Sequence, residues 1–295
     1  MQSADFLSAV FFYLKVGENL NQNWIVENLN NAFSTWNGKL GELWGLVTTG
    51  PQTFKGGAVW GVMQNLHNAM VGVGYALVVL FFAISLFKNT MNFHELKRPE
   101  AALHYLIRFV AAKALVGYGM DIMLNIFSIC NGVITDMTSG MGGISQAMVS
   151  LPGEMQTAIE NVGFLASIPL WLVTILGSLF ITVLSFVMIL TVYGRFFRLY
   201  MYTALAPLPL ASFAGESTQS VGISFVKSYI GVCLEGAVIV LACIIYSAFA
   251  STPTVTGGEP TTMVWSYLAE TVFNMLVLVG LVKGSDRIIH EMMGL

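Results

Sequence analysis

Two patterns of apolar and polar positions divide the chain. Near its start, Ile25, Leu29, Phe33, Trp36, Leu40, Leu43, Trp44 and Val47 recur at steps of three and four, the repeat of one helix face. The other face carries Glu27, Asn30, Asn31, Thr35, Lys39 and Glu42, and Gly50-Pro51 follows. An amphipathic helix of about 24 residues, stopped by that Gly-Pro pair, is expected. Before it, Phe6, Leu7, Val10, Phe11 and Leu14 share a shorter apolar face, which suits a helix at a membrane interface. Asp5 precedes this stretch and no basic segment does, so it does not read as a secretory signal.

Beyond residue 55 the second pattern takes over, long apolar runs almost without charge. No Lys, Arg, Asp or Glu falls between Lys55 and Lys88. A helix needs about 20 apolar residues to cross a bilayer. Crossings are expected at about Asn68–Phe87, Ala101–Ile122 or a little beyond, Phe164–Tyr193, Ser228–Ala250 and Met263–Val282. The third of these has 30 residues, so it tilts or protrudes. Leu199–Ala214 is also apolar, but has 16 residues and is interrupted by Pro207 and Pro209.

The positive-inside rule discriminates between the readings of that stretch. If it does not cross, five spans put the N-terminus outside and the C-terminus inside, with eight Lys and Arg in inner flanks and three in outer ones. If it crosses, the tally becomes five inside and six outside; the inverted five-span arrangement gives three and eight. In the favoured arrangement Trp171 and Trp265 lie near outer span ends, and Tyr193, Tyr200 and Tyr202 near the inner boundary, as aromatic belts require. The sequence therefore predicts an all-α, polytopic helical membrane protein. It has about five transmembrane helices, a proline-broken re-entrant segment around Pro207 and Pro209, and N-terminal amphipathic helices. Residues 1–64 form an extracytoplasmic region and 65–295 the membrane domain.

Composition narrows the function classes. Of 295 residues, 56% are apolar and 10% charged, and the mean hydropathy is +0.73. Soluble domains carry about 25% charge. A soluble enzyme, a disordered tail and a basic nucleic-acid module are excluded. Cys130, Cys233 and Cys243 lie in apolar runs without CxxC spacing, and His67, His94, His104 and His290 are scattered; they suggest neither a disulfide framework nor a zinc site. Walker A, HExxH and GxSxG motifs are missing, and His290-Glu291 lacks a second histidine. No catalytic centre, cofactor or metal is expected.

Charges inside the spans are the candidate functional residues. Arg108, Lys113 and Asp121 fall in or near the second span, Lys227 and Glu235 bracket the start of the fourth, and Glu270 lies in the fifth. Each costs about 2.5–3.5 kcal/mol at the bilayer centre, so each needs a partner, water or an interface. Lys113 and Asp121 are eight residues apart, about 12 Å along a helix, too far to pair. Pairing across helices is expected instead, for example Lys113 with Glu235 or Glu270. The group reads as glue between helices or subunits, as the lining of a hydrated conduit, or as a proton relay. Trp24, Trp36, Trp44 and Trp60 suit a partner interface or a helix lying on lipid. Gly41/Gly45, Gly57/Gly61 and Gly280/Gly284 match the GxxxG helix-approach spacing. Gly140-Met-Gly-Gly143 reads as a flexible joint in an outer loop.

One segment carries a family resemblance. Arg195-Phe-Phe-Arg-Leu-Tyr-Met-Tyr-Thr-Ala-Leu-Ala-Pro-Leu-Pro-Leu-Ala-Ser-Phe-Ala-Gly-Glu216 is followed by a polar step and Val221-Gly-Ile-Ser-Phe-Val-Lys-Ser-Tyr229. This resembles the TrbL-like polytopic inner-membrane subunit of conjugative type IV secretion systems, most closely the version on Gram-positive integrative conjugative elements. The ending Gly280–Leu295 is similar as well. The likeness covers about 60–295 and is best from 164 onward. It implies a channel subunit of the bacterial cytoplasmic membrane, forming a cyclic homo-oligomer and assisting transfer of single-stranded DNA bound to relaxase. Its implied partners are the lipid bilayer, secretion ATPases, a coupling protein and bitopic scaffold subunits. The outer loop 135–162 has a net charge of −3, which disfavours DNA contact there, and the long soluble tail of some relatives is missing. A small-solute or ion transporter, with the broken segment, Glu235 and Glu270 as its site, is the competing reading.

Overall fold

In the computed structural model, residues 2–90, 99–140, 148–162, 164–249 and 259–294 are described. Among them the helices are α1 (Gln2–Thr48), α2 (Ala58–Thr90), α3 (Pro99–Gly117), α4 (Gly119–Gly140), α5 (Gly153–Glu160), α6 (Phe164–Leu205), α7 (Pro207–Leu210), α8 (Gln219–Phe249) and α9 (Pro260–Met293). Short 3-10 turns occupy Phe54–Gly57 and Ala211–Ala214. Among the described residues there is no strand, and four helices are long and apolar enough to cross a membrane; α3 and α4 together make a fifth. The fold is the polytopic all-α one expected.

Three expectations about individual elements are corrected. The two N-terminal helices are one, the 47-residue α1; Gly17 is the strongest breaker between them, and a single interior glycine costs only about 1 kcal/mol. The second span is bent by 72° where α3 meets α4. Gly117 and Gly119 flank the corner, and Tyr118 keeps helical hydrogen bonds to Ala114 and Ile122. Leu199–Leu205 belongs to α6, so the irregular stretch is confined to about 206–218. The side chains of Phe6, Leu7, Val10, Phe11 and Leu14, as well as His94 and residues 141–143, lie outside the described residues.

The chain forms two compact units. One draws on Met1–Trp44, Met141–Thr191 and Leu241–Lys283, the other on Gly45–Gly140, Val192–Val240 and Gly284–Leu295. In the first unit the apolar seam of α1 is buried from Ile25 through Leu43. Polar groups set its register. The Asn37 side-chain amide donates to the Val149 carbonyl (2.7 Å) and accepts from the Val149 N–H (2.9 Å), as a neighbouring strand would. Asn28 donates to Ser178 (3.0 Å), Trp24 packs on Trp171 (5.7 Å between ring centroids), and Phe33 meets Tyr267 edge-on (6.4 Å).

In the second unit consecutive long helices alternate in direction. α2 runs alongside the end of α6 in the same sense: Trp60 meets Tyr200, His67 meets Thr203 and Gly74 meets Pro207. α3 and α4 run against α2, with Phe109 on Phe82, Val116 at Gly74 and Gly119 at His67. α8 runs against α6, since Arg195 lies over Gly236 while Tyr202 rests on Phe225 and Tyr229. α9 runs against α8, Ser285 meeting Glu235 and Ile289 meeting Gly231. The chain thus turns round between Leu205 and Gln219.

That turn lies against α2 and α3. Pro207 is buried, and a Cβ on Gly74 would stand 3.0 Å from the Pro207 carbonyl oxygen. Backbone groups freed by the break find partners: the Glu216 N–H donates to Ser85 (3.4 Å), and the Thr218 hydroxyl donates to the Ser212 carbonyl (2.8 Å). A broken backbone beside an apolar span is tolerated only when it is covered and satisfied in this way.

Candidate functional site

The charged centre of the second unit is built on α6, just past its apolar run. Arg195 and Arg198 are three residues apart and share a face. Arg195 is fully buried, and among the described residues its guanidinium hydrogen-bonds backbone carbonyls rather than a carboxylate. Its Nε donates to the Val232 carbonyl (3.3 Å), its Nη2 to Cys233 (3.2 Å) and its Nη1 to Val47 (3.3 Å). Val47 sits in the last turn of α1, where carbonyls have no helical donor and the helix dipole favours a cation. Arg195 therefore caps α1 and clamps α8. The guanidinium reaches α8 because residue 236 is glycine; a Cβ there would lie 2.6 Å from Nη1.

Arg198 holds the acids. Its Nη2 donates to both carboxylate oxygens of Glu235, each at 2.7 Å, and its Nη1 pairs with Asp286 on α9. Ser285 donates to Glu235 Oε1 (3.3 Å), and His290 lies 3.5 Å from Asp286. The Glu235 side chain is 1% exposed. A carboxylate taken out of water is tolerated only with such compensation. Around this core, Phe54 stacks on Phe196 (4.0 Å) and the Tyr200 hydroxyl donates to the Pro51 carbonyl (2.8 Å). The turn after α1 is thereby fastened to the same stretch of α6. Nearby, buried His67 donates through Nδ1 to the Thr203 carbonyl (2.7 Å), which can only accept, and its Nε2 has no hydrogen-bond partner among the described residues.

Of the residues singled out from sequence, Glu235 alone enters this cluster. Its partner is Arg198, not Lys113, which corrects the expected pairing; Lys113 is exposed. Arg108 is half-buried and bonds Gln219. Asp121, Lys227 and Glu270 are exposed, Asp121 in the first turn of α4, where the helix dipole favours it. Pro207 is buried and Pro209 half-buried in the turn. Trp36 and Trp60 are buried within the chain, Trp44 is half-buried and Trp24 is exposed. Two of the four tryptophans thus pack inside, Trp36 on the buried seam of α1 and Trp60 beside the Tyr200 ring. Of the GxxxG glycines, 41, 45, 61, 280 and 284 have nothing within 4 Å of an added Cβ and Gly57 meets only the nearby Gln52 backbone, whereas Gly74, Gly231 and Gly236 are among those that approach other helices closely. Sequence reasoning left Arg195, Arg198 and Asp286 out of the site; an Arg pair ending a 30-residue apolar run was the available signal.

The sequence pattern of the family described as TrbL/VirB6 plasmid conjugal transfer like protein matches residues 36–207, more than half of the chain. The chain belongs to that family. No curated protein and no solved structure matches it. The TrbL/VirB6-like match runs from the buried seam of α1 to Pro207, and takes in Arg195 and Arg198. Family membership and the apolar helices together make this a multi-pass membrane protein of conjugal transfer.

Proposed function

We propose that the chain is a non-enzymatic membrane subunit of a conjugative type IV secretion channel, assisting passage of relaxase-bound single-stranded DNA across the cytoplasmic membrane. The observation that carries this reading is the TrbL/VirB6-like match over residues 36–207. The chain's work is to hold a shaped set of helices in the bilayer, beside separate ATPases, a coupling protein and bitopic scaffold subunits, in a cyclic homo-oligomer. The distribution of Lys and Arg favours a cytoplasmic C-terminus, while Val47, Pro51, Phe54 and Trp60 pack against the Arg195–Tyr200 stretch of α6.

The charged cluster suits a fastening role. Arg195 and Arg198 tie α6 to the end of α1, to α8 and to α9, so displacing any of these helices would strand a buried charge. Glu235 has both oxygens engaged, which leaves it poorly placed to bind a solute or relay a proton. Deleting the gene from a donor strain is expected to abolish DNA transfer while the partner ATPases keep hydrolysing ATP. Transfer at the normal frequency would refute the assignment.

A further inference from the structure

In the first unit, α6 and α9 enclose a groove of about 470 Å³ lined by Val183, Phe186, Val187, Leu190, Thr191 and Lys283. Its floor is apolar and open to the surroundings: Leu190 is 66% and Phe186 50% exposed. The groove lies where both helices leave their apolar runs. On α9 no charged residue separates Glu270 from Lys283; on α6 none separates the helix start from Arg195. Lys283 is exposed and is the one charged residue among those lining the groove. The other cation nearby, Lys39, lies 5.9 Å from the centre of the Phe186 ring and is bound to Glu42 at 2.7 Å.

An apolar trough beside a cation that has no ion pair among the described residues, at the polar end of two membrane helices, matches one ligand chemistry, a hydrocarbon tail joined to an anionic head. We propose that this groove holds one acyl chain of an anionic phospholipid, whose phosphate pairs with Lys283. The apolar walls accept the chain, and a basic side chain at the membrane surface favours anionic over zwitterionic lipid by about 1 kcal/mol, equivalent to about fivefold in affinity. The inference needs only a multi-pass membrane protein and stands apart from the transfer role.

The test is native mass spectrometry of the full chain in detergent, titrated with dioleoyl-phosphatidylglycerol or dioleoyl-phosphatidylcholine. Phosphatidylglycerol is expected to be retained in preference. Lys283→Gln should weaken its retention about fivefold, and Lys283→Arg should leave it unchanged. Leu190→Trp, which fills the groove, should reduce retention of both lipids without changing the thermal unfolding of the protein. Glycerol phosphate, the headgroup without its chains, should not compete. Equal retention of the two lipids, indifference to Lys283→Gln, or competition by glycerol phosphate would overturn the proposal. So would a two-chain mass that Leu190→Trp abolishes without any lipid preference, since the occupant would then be a second copy.

Discussion

Replacing Arg198 with leucine is expected to destabilise the protein by about 3–5 kcal/mol, the cost of leaving a buried charge without its partner. Glu235 has a side-chain exposure of 1% and receives both Arg198 bonds at 2.7 Å. After the change it keeps the Ser285 hydroxyl at 3.3 Å and the more distant charge of Arg195, but no direct cationic hydrogen bond among the described residues. Asp286 suffers less, because it is 45% exposed and water can solvate it. The double variant Arg198→Leu/Glu235→Leu should recover most of the loss, since apolar replacement of a whole buried pair is close to neutral. Arg198→Lys should fall between, as an ammonium lacks the planar fork that engages Glu235 and Asp286 together. Unfolding of the purified protein in mixed micelles with increasing SDS measures all three. Additive losses in the double variant would show that the pair is not coupled.

Gly236→Ala is expected to cost about 1–3 kcal/mol from overpacking. The new methyl would stand 2.6 Å from Arg195 Nη1, 2.7 Å from Cζ and 2.7 Å from Ile134 Cδ1. Arg195 cannot simply retreat, because three carbonyls on two helices hold it. If it does move, the Val47 carbonyl at the end of α1 loses its donor, and the loss grows. Gly132→Ala is the matched control. Nothing lies within 4 Å of its added Cβ in α4, so the usual gain of about 0.5–1 kcal/mol for alanine over glycine inside a helix should appear. The same SDS titration reads both variants. A neutral Gly236→Ala would mean that the guanidinium does not lie across α8.

Much of this architecture is legible in the sequence because it follows from burial and period. The seam Ile25, Leu29, Phe33, Trp36, Leu40, Leu43, Trp44 and Val47 is buried at every position but Trp44, which is half-buried. The long uncharged runs became long helices, and the two-proline stretch became a turn against α2 and α3. The pairing of charges was not legible. Which cation faces Glu235 depends on the register of α6 against α8, and sequence spacing carries no information on the relative height of two helices. Lys113 and Arg198 were equally available on paper; the glycine at 236, which brings Arg195 onto α8, decides between them only once the helices are placed. The bend at Tyr118 was hidden for another reason. Two glycines permit a corner without requiring one, and the Tyr75 hydroxyl, which would lie 2.8 Å from a Cβ on Gly117, comes from a distant part of the chain.

Because residues 206–218 reverse the chain, α6 and α8 are expected to be successive crossings in opposite directions. Single cysteines at Ser217, just before α8, and Glu259, just before α9, in a variant lacking Cys130, Cys233 and Cys243, test it with a membrane-impermeant maleimide. The account predicts that position 217 labels only from the cytoplasmic side and position 259 only from the outside. Labelling of position 217 from the outside would contradict it, because either the proline-containing stretch crosses the membrane or the five spans are inverted.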